Sequence, residues 1–336
     1  MNKVKSMEIG KIPNDILKTM ILDKIKNTRK EIIVRPAIGE DCGVVDFGQE
    51  LTVISTDPVT GTDSQIGTIA VHVACNDIAA SGAEPVGIMV TLLAPENAAI
   101  FDIETIMEQI ADTALSLNVD VIGGHTEVTG AVRRFVITIT AVGKTTDKKI
   151  IKTSGAKPGD DIIITKFAGL EGTAILALDH EKELAAEFGN KVVINAKKLL
   201  DQISVVREGM IASKHGGVNA MHDVTEGGVL GAVWEMCDAS GCGAEIVKSN
   251  IPVLSETDKI CGYFNINPLK LISSGCMLIS ASCGPSLVKR LLSEGIQASI
   301  IGKMTEKESR IMLTESGSVI IQPPKSDELY RAKKRF

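Results

Sequence analysis

The chain has 336 residues, of which 44% are apolar and only 3% are aromatic, and its formal net charge is −6. A chain of this length predicts two domains of roughly 150 residues each, with cores built from aliphatic side chains. The acidic balance disfavours contact with a phosphate backbone, so we expect no nucleic-acid partner.

The first half alternates predicted strands with predicted helices. Runs of β-branched and apolar residues predict the strands 51–56, 86–94 and 132–142. Apolar residues at helical spacing predict helices at 66–81 and 103–117. A short strand at 120–122 precedes Gly123 and Gly124, and this glycine pair predicts a turn.

A polar, lysine-rich stretch with Gly and Pro occupies residues 143–160 and predicts a domain boundary. We therefore expect one domain at 1–148 and a second at 155–336. The second half has predicted strands and helices at 161–165, 191–213, 218–222, 229–240, 269–281 and 285–294. Both halves mix the two kinds of element, so the predicted fold class is α/β (α+β).

Acidic residues stand at predicted loop and element ends in the first half. Asp41 lies in a glycine-containing loop, Asp57 closes the strand 51–56, and Asp77 follows Asn76 late in the first helix. Carboxylates that converge repel one another unless a cation lies between them. Magnesium binds a few carboxylates and completes its shell with water and phosphate oxygens. The set predicts a magnesium site, and the alternative is that each Asp caps a turn or a helix.

Glycine-rich segments allow a backbone to approach a ligand closely. One is the pair Gly123 and Gly124, and another runs from Asp223 to Gly228 into an apolar helix. Residues 169–173 show the same pattern, and N–H groups at a helix start attract phosphate or carboxylate. His125 is a candidate phosphate contact or proton carrier, and the alternative is a turn residue bonded to backbone.

Several other kinds of site are not indicated. The segment Gly143–Thr145 resembles the end of a Walker A loop, but Thr138 stands where the first glycine is required. The seven cysteines form no CxxC pair, which disfavours a zinc site or a disulfide framework. No apolar run approaches the roughly 20 residues of a membrane helix, and no signal peptide is evident. We expect a cytoplasmic protein without a membrane partner.

The order of these motifs resembles a known family. GEDCGVV, STDPV, AVHVACNDIAASGAEPVGIMVTLL and IGGHTEV are similar to the N-terminal domain of the AIR synthase (PurM-like) superfamily. AGLEGTAILA, AMHDVTEGGVLGAVWEM and LISSGCMLISA look like its C-terminal domain, so the resemblance covers almost the whole chain. Within the superfamily, these motifs most resemble those of the HypE branch of hydrogenase maturation proteins.

The resemblance implies a two-domain PurM-like fold whose N-terminal domains form a homodimer with a β-barrel-like interface. It also implies binding of ATP and Mg²⁺ and use of the phosphate to activate an oxygen of a small-molecule substrate. The implied metal ligands are Asp41, Asp57 and Asp77. The implied nucleotide- or phosphate-side residues are Asn76, Gly123, Gly124, His125, Thr126, Thr225, Glu226, Gly227 and Gly228. The expected catalytic residues are His125 and Asp223.

Two features depart from the HypE pattern. HypE typically has an Asp where this sequence has His125, and HypE works through a C-terminal cysteine that receives a carbamoyl group. The last cysteine here is Cys283, so we expect a HypE-like enzyme that activates a carbonyl or carboxylate oxygen without that terminal thiol. The resemblance suggests hydrogenase maturation and a second maturation protein as partner. The alternatives are a ThiL-like small-molecule kinase and a nucleotide-binding protein without turnover.

Overall fold

The computed structural model describes residues 32–34, 37–40, 42–46, 48, 50–60, 64–145 and 148–333, together with Asn14 and Lys18. Asp41, one of the predicted metal ligands, lies outside these residues. None of the helices in this described part of the chain combines the length and the apolar character that a membrane span requires.

The first half forms a six-stranded sheet with two helices. Its elements are β1 (Ile32–Val34), β2 (Gly43–Asp46), β3 (Leu51–Val59), α1 (Ile66–Ala80), β4 (Glu84–Ala94), α2 (Ile100–Ser116), β5 (Asp120–Val128) and β6 (Val136–Thr145). The spatial order of the strands is β1-β2-β3-β6-β4-β5. Strand β5 runs parallel to β4, and the other pairs are antiparallel.

The second half contains a seven-stranded sheet and eight helices among the described residues. Its elements are β7 (Asp161–Thr165), α3 (Leu170–Asp179), α4 (Glu181–Phe188), α5 (Asn190–Lys197), α6 (Val206–His215), β8 (Val218–Asp223), α7 (Gly228–Ser240), β9 (Gly243–Val247), α8 (Ser255–Phe264), β10 (Met277–Ala281), α9 (Gly284–Ser293), β11 (Ala298–Thr305), β12 (Arg310–Thr314), β13 (Gly317–Ile320) and α10 (Glu328–Lys333). The strand order is β13-β12-β9-β11-β7-β10-β8. This mixture of strands and helices confirms the predicted fold class.

Helix α1 is apolar around almost its whole circumference because it packs on both halves. Ala70, Ala74 and Ile78 belong to the core under the first sheet. Ile69 belongs instead to a core built with α3 and α5 of the second half. The helix therefore fixes one half against the other, and its late residues lie at their junction.

Several predicted elements differ from those observed. The predicted helix 191–213 is broken into α5, a 3-10 turn at Lys198–Gln202, and α6. The predicted strand 269–281 is extended only over β10. The predicted strand 132–142 is shifted to Val136–Thr145. The turn predicted at Gly123 and Gly124 was wrong, because both glycines continue the strand β5.

Candidate functional site

Asp77 is the predicted ligand that the structure surrounds most closely. It lies on α1 and is only 5% exposed. The hydroxyl of Ser55 on β3 donates to Oδ2 of Asp77 at 2.5 Å, and the thiol of Cys42 donates to the backbone carbonyl of Asp77 at 3.2 Å. Strand β3 and the residue before β2 therefore both contact Asp77 of helix α1, through its carboxylate and its backbone carbonyl respectively.

Asp57 lies on the same face of β3 as Ser55. Its register partner on β6 is Ile139, which is fully buried, and directly paired residues point to the same side of a sheet. Asp57 itself is half-buried, and it stands about 7 Å along the strand from Ser55 at the usual rise of a β-strand. The structure thus places Asp57 and Asp77 on one side of the first sheet.

Asn76 connects the two halves of the chain. It is 0% exposed. Its Nδ2 donates to the carbonyl of Ile203 at 2.8 Å, and its Oδ1 accepts from the N–H of Val205 at 2.8 Å. Its amide is engaged by backbone on both sides, so in this conformation it holds the junction between α1 and the start of α6.

His125 is not close to these carboxylates within one chain. It pairs in register with Thr91 on β4, and its strand β5 is separated from β3 by β4 and β6. At about 4.8 Å per strand, this separation is roughly 14 Å. His125 is 66% exposed, and its Nε2 lies 3.0 Å from Oε2 of Glu127. Thr126 is on the same exposed strand.

Gly124 has a structural reason to be glycine. A Cβ atom added at this position would lie 2.1 Å from the backbone oxygen of Val90 on β4, whereas one added at Gly123 would meet only the Cε of Met89 at 3.9 Å. The pair of strands carries an irregularity in register between Ile88 and Met89, beside these glycines. The backbone that approaches Gly124 closely is therefore that of the neighbouring strand β4.

The loop from Thr225 to Gly228 leads from β8 into α7. Gly227 and Gly228 have φ values of +89° and +61°, a region that favours glycine. The N–H of Gly227 donates to Oδ2 of Asp327 at 2.7 Å, and Oε1 of Glu226 accepts from the hydroxyl of Tyr330 at 2.9 Å. The loop is thus in direct contact with the C-terminal segment.

Glu171 is in the first turn of α3, close enough to Glu226 of this loop to interact with it electrostatically. It is only 3% exposed, and Ser274 lies close enough to act on its carboxyl by hydrogen bonding. Burial raises the pKa of Glu171 to about 7, and the charges of Asp327 and Glu226 act in the same direction. Burial likewise raises the pKa of Asp327 to about 6.

Asp223 is at the end of β8 and is 1% exposed. It pairs in register with Met277 of β10. Its neighbour His222 is 2% exposed, with Nε2 3.2 Å from Oε2 of Glu235 on α7. Both side chains are enclosed in the second half, and the catalytic role of Asp223 stays a prediction.

Two polar residues in these clusters carried no assigned role at the sequence level. Ser55 has a recognisable signal, since it is a polar residue in the buried alternation Leu51, Val53, Ser55. Asp327 has none, because its contact with Gly227 spans 100 positions of the chain. Within the described ranges, which omit Asp41, no group of three or more His, Cys, Asp or Glu side chains is arranged to hold a metal ion.

Comparison with known proteins gives the family. Residues 39–145 match the N-terminal domain of AIR synthase related protein, and residues 157–313 match its C-terminal domain. The chain belongs to the AIR synthase related family.

Among proteins of similar sequence, a hydrogenase expression/formation protein of Methanocaldococcus jannaschii is 28% identical, and the match covers 96% of each chain. Carbamoyl dehydratase HypE of Cupriavidus necator is 28% identical over 76% of this chain and 73% of its own. These relatives connect the chain to the HypE branch.

Solved structures of similar fold include HypE and ThiL proteins. A chain in the crystal structure of the HypE–HypF complex has a TM-score of 0.77 at 21% identity, covering 92% of this chain and 99% of that chain. AaThiL complexed with AMPPCP and TMP has a TM-score of 0.72 at 20% identity, covering 93% and 94%. HypE in complex with ATP has a TM-score of 0.68 at 20% identity, covering 97% and 98%. At these identities the likeness establishes the fold.

Proposed function

We propose that this protein is a HypE-like enzyme that uses ATP and Mg²⁺ to activate a carbonyl or carboxylate oxygen of a small substrate by phosphate transfer. The observation that carries the proposal is the Asp77–Ser55 hydrogen bond at 2.5 Å, beside Asp57 on the same face of β3. HypE and ThiL proteins of similar fold have been solved with ATP and with AMPPCP, which supports nucleotide binding by this chain.

The residues present fit a magnesium ion by their chemistry. Asp57 and Asp77 supply carboxylate oxygens, which are the hard ligands that Mg²⁺ prefers. Ser55 restrains the carboxylate of Asp77 through its hydrogen bond, so that carboxylate needs little reorganisation on binding. Asp41 is proposed as a further ligand on the strength of the family motif. When bound, the ion would neutralise phosphate charge during transfer.

The remaining predicted residues have separate proposed roles. Thr225, Glu226, Gly227 and Gly228 are proposed for the phosphate and substrate side, as the family resemblance implies. Asp223 is proposed as a nearby acid–base group. His125 is proposed for catalysis and, with Gly123, Gly124 and Thr126 on the same strand, for nucleotide binding at an interface with a second copy.

A homodimer is part of the proposal. Strand β5 is at the edge of the first sheet, and all its residues are exposed, including Val121, Ile122 and Val128. An unpaired edge with apolar side chains is a surface that another chain tends to cover. Light scattering after size exclusion should give the mass of two chains. A charged substitution, Ile122→Lys, should shift it towards one chain, whereas the exposed control Leu292→Lys should not.

Hydrogenase maturation is the process we propose, with a second maturation protein as partner. The names of the relatives and the solved HypE–HypF complex support this choice. A ThiL-like kinase is the second candidate, because the TM-score of 0.72 to AaThiL is close to that of HypE. Product analysis separates them: a kinase converts thiamine monophosphate and ATP into ADP and a phosphorylated acceptor.

Calorimetry with ATP and Mg²⁺ tests the proposed site. Asp57→Asn should weaken binding on the order of tenfold or more, since it removes a metal-binding carboxylate. Asp112→Asn is the matched control, because Asp112 is an exposed carboxylate on α2. Absence of ATP binding by the wild type, or equal binding by the Asp57→Asn and Asp112→Asn variants, would contradict the proposal.

A further inference from the structure

A groove runs between α6 and α9, and the described residues that line it include none of those proposed for ATP or Mg²⁺. Its volume is about 580 Å³, which is within the range of ligand-binding clefts. One wall is formed by Arg207, Met210, Ile211 and Lys214 of α6. Their spacing places the four side chains on one face of the helix. The groove therefore presents a continuous helical face to whatever enters it.

The groove is positively charged, although the formal net charge of the chain is −6. Its described lining residues include three cations, Arg207, Lys214 and Arg290. The one carboxylate among them belongs to Glu294, and His215 at the Lys214 end can only add positive charge. A local charge opposite to that of the whole molecule guides an anionic partner to this place.

Two of the cations are already held in place. Nη2 of Arg207 donates to the backbone carbonyl of Glu294 at 2.9 Å, and Nη2 of Arg290 lies 2.7 Å from Oε1 of Glu294. A guanidinium carries five N–H donors, so each arginine can bind a further carboxylate. Lys214 is exposed and makes no ion pair with another described residue. Side chains that are positioned beforehand lose less freedom when a partner binds.

The floor of the groove between Arg207 and Lys214 is apolar. Met210 and Ile211 are half-buried, and Ile211 packs on the core that contains Leu287 of α9. A phosphate backbone would neutralise the cations but leave these two apolar side chains uncovered. A protein segment with both acidic and apolar side chains covers them as well.

The spacing along α6 indicates the form of that segment. Arg207 and Lys214 are separated by about 10 Å along the helix axis, at the usual rise per residue. A helix that lies in a groove contacts it through side chains at i, i+3, i+4 and i+7. Acidic residues at i and i+7 would meet the two cations, and apolar residues at i+3 and i+4 would meet the floor.

We propose that the groove between α6 and α9 is the docking site for an acidic amphipathic helix of a partner protein, with carboxylates at i and i+7 and apolar side chains at i+3 and i+4. This inference goes beyond the proposed function, because the docking requires neither ATP nor Mg²⁺.

Fluorescence anisotropy with a labelled synthetic helix tests the proposal on the full chain. The probe is a peptide of about 15 residues, long enough to form some helix in isolation. It carries Glu at i and i+7, Leu at i+3 and i+4, and Ala and Gln elsewhere, and its control carries Gln at i and i+7. The Glu peptide should bind roughly fivefold more tightly or better. Added salt should reduce this difference, because it screens exposed charges.

Two variants of the protein locate the contact. Lys214→Glu and Lys289→Glu make the same change at exposed lysines, but only Lys214 lines the groove. Lys214→Glu should weaken binding of the Glu peptide about tenfold, and Lys289→Glu about twofold at most. One of the two peptides with a single Glu replaced by Lys should bind Lys214→Glu more tightly than the original peptide does. Such a recovery reports a direct pair of charges rather than a change in fold.

Several outcomes would overturn the inference: equal binding of the Glu and Gln peptides, equal losses in the two variants, or no recovery with either Lys peptide. Tighter binding of a single-stranded oligonucleotide than of the Glu peptide would also overturn it, because the groove would then serve a phosphate backbone. Calorimetry with ATP and Mg²⁺ should give the same result for Lys214→Glu and the wild type. A failure of the docking site is therefore distinguishable from a failure of the proposed function.

Discussion

The side-chain oxygen of Asn76 accepts a hydrogen bond of 2.8 Å from the N–H of Val205, 129 positions further along the chain. The same side chain donates to Ile203 at 2.8 Å. A residue of the family motif thus connects the two halves by hydrogen bonds to the non-helical backbone between α5 and α6.

Replacing Asn76 with Ala should lower the free energy of unfolding by about 3 kcal/mol, because a buried donor and a buried acceptor lose their partner together. Urea unfolding measures the change. Asn195→Ala is the matched control, since Asn195 makes one exposed hydrogen bond to Glu256, and its effect should stay within about 1 kcal/mol. If Asn76→Ala lowers the free energy of unfolding no more than the control does, the two hydrogen bonds of Asn76 do not contribute to stability.

The buried carboxyl of Glu171 should make stability depend on pH. Its pKa is about 7 in the folded protein against 4.5 ordinarily, chiefly through burial, with Asp327 and Glu226 adding repulsion and Ser274 opposing it. The folded state binds the proton more tightly. The contribution to stability is therefore complete below about pH 4.5 and is lost as the pH rises through about 7.

Glu171→Gln removes this titration while keeping the size of the side chain. Relative to the wild type, the variant should gain on the order of 3 kcal/mol in free energy of unfolding between about pH 4.5 and about pH 8. Chemical unfolding at a series of pH values gives the difference. Glu187→Gln, at an exposed position of α4, should run parallel to the wild type, and a parallel Glu171→Gln curve would contradict the assignment.

The sequence predicted the elements whose signal is local. The run of β-branched and apolar residues in β3 and the helical spacing in α1 are local signals, and both elements were confirmed. The break after α5 was missed because Asn76, which hydrogen-bonds the backbone after the break, is on another helix. The glycine pair at 123 and 124 was misread because a close approach to Val90 and a turn require the same residue.

The candidate site, too, could be predicted from the sequence only in part. Family motifs single out Asp57 and Asp77, and the fold places them on one side of the first sheet. The distance of β5 from β3 follows from strand order, which local patterns do not specify. The contact of Asp327 with Gly227 depends on how the C-terminal segment returns across α7, and no motif marks it.

One thiol should react far faster than the others. Of the seven cysteines, Cys283 alone is not buried, whereas burial raises the pKa of Cys75, Cys237, Cys261 and Cys276 to about 12. Because the thiolate is the reactive form, a neutral aromatic disulfide should modify one thiol per folded chain in a rapid phase. Cys283→Ser should abolish that phase and Cys261→Ser should keep it. More than one rapid equivalent would show that a buried cysteine becomes accessible.

Substitution of the two neighbouring glycines of β5 should have unequal effects. In Gly124→Ala the new methyl group meets the oxygen of Val90 at 2.1 Å, so β5 and β4 must separate, whereas in Gly123→Ala the nearest atom is 3.9 Å away. Overpacking of this kind costs about 1–3 kcal/mol. Urea unfolding and hydrogen exchange of residues 120–128 should show the loss in Gly124→Ala only.

The same pair of variants separates a structural from a ligand-binding role. If the glycines serve only strand pairing, Gly123→Ala should bind ATP and Mg²⁺ like the wild type. If a nucleotide approaches the backbone of both, a methyl group at Gly123 should weaken ATP binding although the strand remains intact. Calorimetry on Gly123→Ala therefore decides whether the family's glycine motif keeps its nucleotide role in this chain, independently of the stability change at Gly124.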